Sequence, residues 1–327
     1  MREWPPPKWE IQPSFLGAPI SPMHAIGPGV VVVSGAPYVA RDRGMQREGP
    51  RAIRAASAVV AERLHHATGT GILDHMAGRT WKERPWRPLI DIGDLNVYPS
   101  DVMRSTEGIA GGVAEVVRRG GFSVCLGGDH YVGYPSCLGF SRALAEREPN
   151  ARIGYIHIDG HLDFTDEYAL TGKYNNGTNA RRISELPNVN PRNMSWIGIQ
   201  GPCGHEPMAV IRKYGAKVFT SEDIHHDGPA AVARRAAEHA MNGTDYIYLS
   251  FDIDVVDAGF ASGTGSVTMG AVTPIQLLQM VDVLATYPIA AMDLVETSPE
   301  LEPSARSARL AAESLVRLIA PRILEIE

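Results

Sequence analysis

The sequence predicts an α/β protein, a mostly parallel sheet with helices on both faces. Three observations carry that expectation. Short apolar runs alternate with helical stretches along the 327-residue chain, the pattern of parallel strands joined by crossover helices. The composition is 44% apolar, ample for a large core. Three of the apolar runs end in acids and histidines, and sheets of this class carry their sites at the carboxyl ends of strands.

In chain order, strands are expected over Val30–Ser34, Leu89–Ile92, Ser123–Leu126 and Ile153–Ile158. Four more follow over Met194–Ile199, Lys217–Thr220, Tyr246–Phe251 and Ala290–Leu294. Helices are expected between them over Gly49–Glu62, Met103–Arg119, Ser136–Glu148, Pro207–Lys213, Pro229–Met241 and Pro274–Tyr287. A last helix, Ser304–Arg322, closes the chain. Ala, Leu, Glu and Arg dominate these stretches, and Pro229 and Pro274 sit where a first helical turn tolerates proline. The Pro-rich start (Pro5–Pro7) reads as part of an N-terminal arm over 1–25, and Thr68–Pro88 as a surface excursion. No repeat or low-complexity linker divides the chain, so one catalytic domain over 1–327 is expected.

Composition excludes several classes. A net charge of −6, with no Lys/Arg-rich run, leaves no nucleic-acid footprint. Cys125, Cys137 and Cys203 are too few and too scattered for a disulfide framework. The start, MREWPPPKWEIQPSF, has no apolar signal region, and no run approaches the ~20 apolar residues a membrane span needs. The default expectation is a cytoplasmic protein with a small-molecule substrate, no nucleic acid and no membrane.

The chemistry collects at three strand ends. Ser123–Leu126 runs into GGDH, which puts Asp129 and His130 in the loop beyond the strand. Ile153–Ile158 runs into HIDGHLDF, with Asp159, His161 and Asp163 at alternate positions. Tyr246–Phe251 runs into SFDIDVVD, with Asp252 and Asp254 at i and i+2. Residues so spaced on an extended chain share one face. Carboxylates and imidazoles gathered on a dry face repel or neutralise one another unless positive charge lies between them. Four carboxylates and two neutral imidazoles balance two divalent cations, whereas one would leave the cluster net negative. Mixed oxygen and nitrogen donors suit Mn²⁺ and also admit Ni²⁺, Co²⁺ or Fe²⁺.

GGDH, DGHLD and SFDIDVVDAGFASGTG resemble the three metal signatures of the ureohydrolases, the family of arginase, agmatinase and guanidinobutyrase. The resemblance extends to GMQREGPRAIRAAS, LIDIGDLNV, WIGIQG and DLVETSP, in family order and over most of the chain. It implies a three-layer α/β/α fold around an eight-stranded parallel sheet, arginase-like and assembled as a homo-oligomer, a trimer or hexamer. Carried over residue by residue, His130, Asp159, Asp163 and Asp252 hold one metal, and Asp159, His161, Asp252 and Asp254 the other. A hydroxide between the two ions then attacks the central carbon of a guanidino group and releases urea. The resemblance makes Glu296 the carboxylate that contacts the guanidinium, and Asp254, on the metal site, is the group expected to pass the proton to the leaving nitrogen.

The departures bear on the substrate. Relatives carry an HGTP-like segment where this chain has NNGTNARR, so Asn176 stands for a shuttle histidine and Asn179 for a proline. Thr165 replaces the asparagine with which arginases hold the amino-acid end, and Ala258 and Ser262 replace two loop prolines. Tyr131 follows GGDH where a small hydroxyl residue is common, and a phenol there is expected to narrow the pocket. Asp166 and Glu167 are loop acids, and His225 and His226 read as surface loop residues. Arginine and agmatine are therefore expected to be poor substrates, and a compact or substituted guanidine, or an amide, to be preferred. Two other readings stay open: the same metal chemistry on a carboxamide, substituted guanidine or biguanide, releasing ammonia or an amine; and an inactive partner subunit of a hetero-oligomer.

Overall fold

A computed structural model describes residues 13–40, 44–66, 72–74, 78–83 and 88–326. Pro5–Pro7 of the expected arm lies outside them. In chain order the first elements are β1 (Val31–Ala36), α1 (Gly49–His66), β2 (Ile72–Asp74), β3 (Arg79–Glu83) and β4 (Leu89–Asp94). Then come α2 (Val102–Arg118), β5 (Phe122–Gly127), α3 (Gly133–Arg147), β6 (Ile153–Ile158) and α4 (Asn179–Ile183). Next are β7 (Val189–Ile199), α5 (His205–Tyr214), β8 (Lys217–Thr220), α6 (Ser221–Asp227) and α7 (Pro229–Ala240). The chain closes with β9 (Tyr246–Asp252), α8 (Pro274–Leu284), β10 (Ile289–Val295), α9 (Arg306–Ile323) and β11 (Leu324–Ile326).

Eight strands form one sheet in the order β4-β1-β5-β10-β9-β6-β7-β8. Every neighbouring pair is parallel. Successive strand residues point to opposite faces, and both faces here are apolar. Leu126, Ile158 and Leu249 meet Ile53 of α1, Ala236 of α7, Leu277 of α8 and Leu315 of α9 in one core. Their neighbours Cys125 and Tyr248, with Tyr155 and Trp196, meet Ile109 of α2, Leu144 of α3 and Ile211 of α5 in the other. Strands covered twice read as unbroken apolar runs, which is why they were visible in the sequence.

Local chemistry sets the helix boundaries. The Asp101 side chain accepts from Arg104 N at the start of α2, and Thr220 and Thr273 form capping boxes at α6 and α8. α5 ends on Gly215 at φ 76°, a left-handed backbone that glycine adopts without strain.

Several elements depart from the sequence reading. The Thr68–Pro88 excursion contains β2 and β3; β3 pairs antiparallel with β2 on one side and with β11 on the other in a three-stranded sheet. These strands are short, and β11 lies at the far end of the chain, so no local pattern announces them. α4 and α6 are likewise short helices. His225 and His226 lie on α6, where they remain exposed, rather than in a loop. No helix among the described residues is long and apolar enough to cross a membrane.

One buried ion pair ties the first helix to the sheet edge. Arg54 on α1 is 3% exposed and donates from Nε and Nη2 to both oxygens of Asp91 on β4, each at 2.9 Å. It also reaches Asp94 Oδ1 and the carbonyl of Gly93. Removing the guanidinium leaves Asp91 buried without its counter-charge, so Arg54→Met is expected to cost about 3–5 kcal/mol of stability. Denaturant unfolding of the two proteins measures this directly; an unchanged midpoint would show that the pair contributes nothing.

The consequence for function lies in the strand order. β5, β10, β9 and β6 are consecutive neighbours. Their carboxyl ends therefore lie side by side, and these ends carry His130, Glu296, Asp252 and Asp159.

Candidate metal centre

The candidate residues converge beyond those four strand ends. Asp159 follows β6 and is fully buried, Asp252 ends β9 at 2% exposure, and Asp254 is 1% exposed in the following turn. His130 opens a short turn after β5 and is 1% exposed. Its Nδ1 stands 2.9 Å from Asp159 Oδ2, 3.1 Å from Asp163 Oδ2 and 3.1 Å from Asp252 Oδ2. It directs a hydrogen bond at none of them. On the other side of Asp159, His161 Nδ1 lies 3.3 Å from Asp159 Oδ1 and 3.1 Å from Asp254 Oδ2. Two clusters thus share one carboxylate.

The charges demand a cation. Among the described residues no lysine or arginine pairs with these four aspartates. Burial, with the negative charges of Asp254 and Asp159, pushes the Asp252 carboxyl well above the usual range. Burial and Asp159 push Asp254 up to about 7, against the pull of His161. Both imidazoles move the other way. Burial opposes a charge on His130, yet Asp159, Asp163 and Asp252 hold it well above an ordinary histidine. Asp254 and Asp159 do the same to His161. An unpaired buried imidazole nitrogen facing three carboxylate oxygens, with mixed oxygen and nitrogen donors, fits divalent metal ions.

Backbone conformation supports the geometry. Asp163 and Glu296 are at φ 46° and 65°, left-handed values that cost a non-glycine residue energy and cluster at functional sites. Asp252 Oδ1 accepts the Asp254 amide at 2.7 Å. The aspartate pair therefore caps the turn after β9 as well as facing the cluster.

Four supporting residues escaped sequence reasoning. His157 lies with potential ligand atoms of His130, Asp159 and Asp163, but both of its nitrogens are occupied. Nε2 meets Asp159 Oδ2 at 2.7 Å and Nδ1 meets the Tyr155 hydroxyl at 2.7 Å. It orients Asp159 and is not itself a ligand. Its ring stacks on His130 with centroids 4.6 Å apart. Ser250 Oγ meets His130 Nε2 at 2.9 Å and donates to Asp293 Oδ1 at 2.9 Å, which also takes the Tyr248 hydroxyl on Oδ2. The fourth is Gln46: its Nε2 donates to Glu296 Oε2 at 2.9 Å, while the His130 amide donates to Glu296 Oε1 at 2.9 Å. Burial, with Asp129 and Asp254 nearby, pushes Glu296 up to about 8. The i,i+2 spacing of Tyr155, His157 and Asp159 was the one available signal. Gln46, Ser250 and Asp293 fall inside GMQREGPRAIRAAS, SFDIDVVD and DLVETSP, but nothing in the sequence marks their contacts.

Other expectations change. Asn179, not Asn176, touches a candidate ligand, donating from Nδ2 to Asp163 Oδ2 at 2.9 Å. Asn176 contributes its main-chain carbonyl to Asn179, and its own Oδ1 is buried and unpaired. Tyr131 does not narrow the pocket: it is fully buried in the core under α2, its hydroxyl 2.6 Å from Thr106 Oγ1. Asp166 is paired with Arg182, which leaves it a poor anchor for a cationic substrate.

The chain is similar to known proteins over most of its length. The sequence profile of the arginase family matches residues 30–320. Guanidinopropionase of Pseudomonas aeruginosa is 30% identical over 279 residues, covering 85% of this chain and 81% of that protein. The mitochondrial guanidino acid hydrolase of Homo sapiens is 30% identical over 276 residues, covering 84% and 72%. The solved structure of proclavaminate amidino hydrolase from Streptomyces clavuligerus superposes with a TM-score of 0.79 at 25% identity, over 97% of this chain and 99% of that one.

Proposed function

Given that this chain belongs to the arginase family, we propose that it hydrolyses a carbon–nitrogen bond of a guanidino compound and releases urea. The observation that carries the reading is the pair of His/Asp clusters sharing Asp159, with the buried Glu296 carboxylate bonded to the backbone of His130 beside them. His130, Asp159, Asp163 and Asp252 would hold one divalent cation, and Asp159, His161, Asp252 and Asp254 the other. Mn²⁺ is the first choice, with Ni²⁺ or Co²⁺ next. Such ions supply Lewis acidity and hydroxide at neutral pH.

The chain's own residues do the rest. Glu296 accepts N–H groups of the planar cation and turns its central carbon toward the clusters. Asp254 Oδ2 holds the proton of the attacking water and delivers it to the leaving nitrogen as the carbon–nitrogen bond breaks. A carbon–oxygen bond has formed, so the products are urea and an amine. His157, Asn179 and Ser250 keep Asp159, Asp163 and His130 in place. Without an imidazole at position 176, no separate histidine shuttle takes part. Relatives whose names specify guanidinopropionate or other guanidino acids favour this class, and Thr165 and the paired Asp166 disfavour arginine. We take 1–327 as one catalytic domain working in a homo-oligomer.

A panel of guanidines, amidines and carboxamides, run with Mn²⁺ and with Ni²⁺ and scored for both urea and ammonia, tests the reading. Urea from a guanidino compound other than arginine is expected. Ammonia alone, from an amide, would replace it with amide hydrolysis, and metal-loaded protein without any turnover would favour the inactive-subunit reading.

A further inference from the structure

We propose that Gln46 is a specificity-determining residue whose Oε1 accepts an N–H from the third amino group of a guanidinium held by Glu296. The inference rests on the guanidino reading above and adds to it the part of the substrate that is read.

Gln46 sits in the turn Met45–Glu48 that leads into α1, and is 6% exposed. Its Nε2 must face the Glu296 carboxylate, because only the amide NH₂ can donate there. That contact fixes which end of the amide is the oxygen and leaves Oε1 free of Glu296. Oε1 is buried and has no partner. A buried amide oxygen without a donor is a costly state in a folded chain, and one that a bound N–H relieves. The surroundings keep the amide in this pose. A Cβ on Gly265 would lie 2.5 Å from Gln46 Nε2 and 3.5 Å from Glu296 Oε2, so glycine there leaves room for the pair.

Glu296 spends one lone pair of each oxygen on protein donors, the His130 amide and Gln46 Nε2. Each oxygen keeps a second lone pair, so two nitrogens of a planar cation can bond it side by side. A guanidinium has a third nitrogen, and Oε1 of Gln46 is an unpaired buried acceptor on a side chain that already touches that carboxylate. An acetamidinium ion has the same plane and charge, with a methyl group in place of the third NH₂. The two ions therefore differ at the group assigned to Gln46.

The alternative role for Gln46 is to prop Glu296 in its left-handed conformation. A prop would affect both ions equally. Calorimetric titration of the metal-reconstituted protein with guanidinium chloride and acetamidinium chloride, at millimolar concentrations, separates the two roles. The expected result is that guanidinium binds about tenfold more tightly than acetamidinium, as one added hydrogen bond to a buried acceptor implies. In Gln46→Met the preference should fall to within about twofold, with metal content unchanged. Equal affinities in the unmodified protein would overturn the proposal without recourse to the variant. So would a Gln46→Met variant that weakens both ions by the same factor. Should neither ion bind while the panel above yields urea, Gln46 has no role in recognition. Should neither ion bind and no urea appear, the guanidino reading itself fails.

Discussion

Asp252→Ala is expected to lower kcat/KM by about 10³-fold or more, about 4 kcal/mol of lost transition-state stabilisation. The variant should also fail to retain two metal ions per chain. Asp252 Oδ2 stands 3.1 Å from His130 Nδ1, and Oδ1 accepts the Asp254 amide at 2.7 Å. Alanine therefore removes a proposed bridging carboxylate and loosens the turn that presents Asp254. Metal analysis and melting curves with and without Mn²⁺ give a second readout. Ligand that binds only the folded state stabilises it by about 2.7 kcal/mol at a hundred times its dissociation constant, and the variant should lose most of that shift. Without metal, the sign reverses: one fewer buried carboxylate relieves repulsion from Asp159 and Asp254, so the metal-free variant should melt no lower than metal-free wild type. His130→Ala should release mainly one ion, and excess metal should restore part of its activity. Wild-type metal content and turnover in Asp252→Ala would end the two-ion reading.

Glu296→Gln should raise KM and lower kcat together, with kcat/KM down by about 10²-fold, about 2.7 kcal/mol. The carboxylate accepts from two protein donors at once, Gln46 Nε2 and the His130 amide. An amide has a single oxygen, so one of these donors would face an NH₂ group instead. The cationic partner of the substrate is also lost. Metal content should not change, because Glu296 lies outside both clusters; this separates its effect from that of Asp252. If the variant turns over its substrate with normal constants, Glu296 is structural, and a neutral amide becomes the better candidate substrate.

The strands that frame the site were legible because a parallel strand covered on both faces has to be apolar throughout. Ile153–Ile158 matches β6 residue for residue, and Tyr246–Phe251 falls one residue short of β9. The ligand-type residues were legible for the opposite reason: an acid or histidine directly after such a run has no place in the core. Helix starts were less clear. α3 begins at Gly133 rather than Ser136, because it grows without a capping side chain out of the turn that carries His130. The small sheet of β2, β3 and β11 was invisible, since its strands are short and one of them comes from the end of the chain.

The sequence by itself marked the candidate ligand groups, since an acid or imidazole directly after an apolar run is read within a few residues. The shared face expected of them did not hold, because Asp254 lies in a helical turn and Asp163 is left-handed, which sends Asp163 to His130 and His161 to Asp254. Only the tertiary structure decided that Asp159 is shared between two clusters, that Asn179 rather than Asn176 holds Asp163, that Tyr131 turns into the core, and that Gln46 reaches Glu296 from 250 positions away. Those outcomes depend on β5, β10, β9 and β6 lying side by side. Strand order comes from packing both apolar faces of the whole sheet at once, and no local segment carries that information.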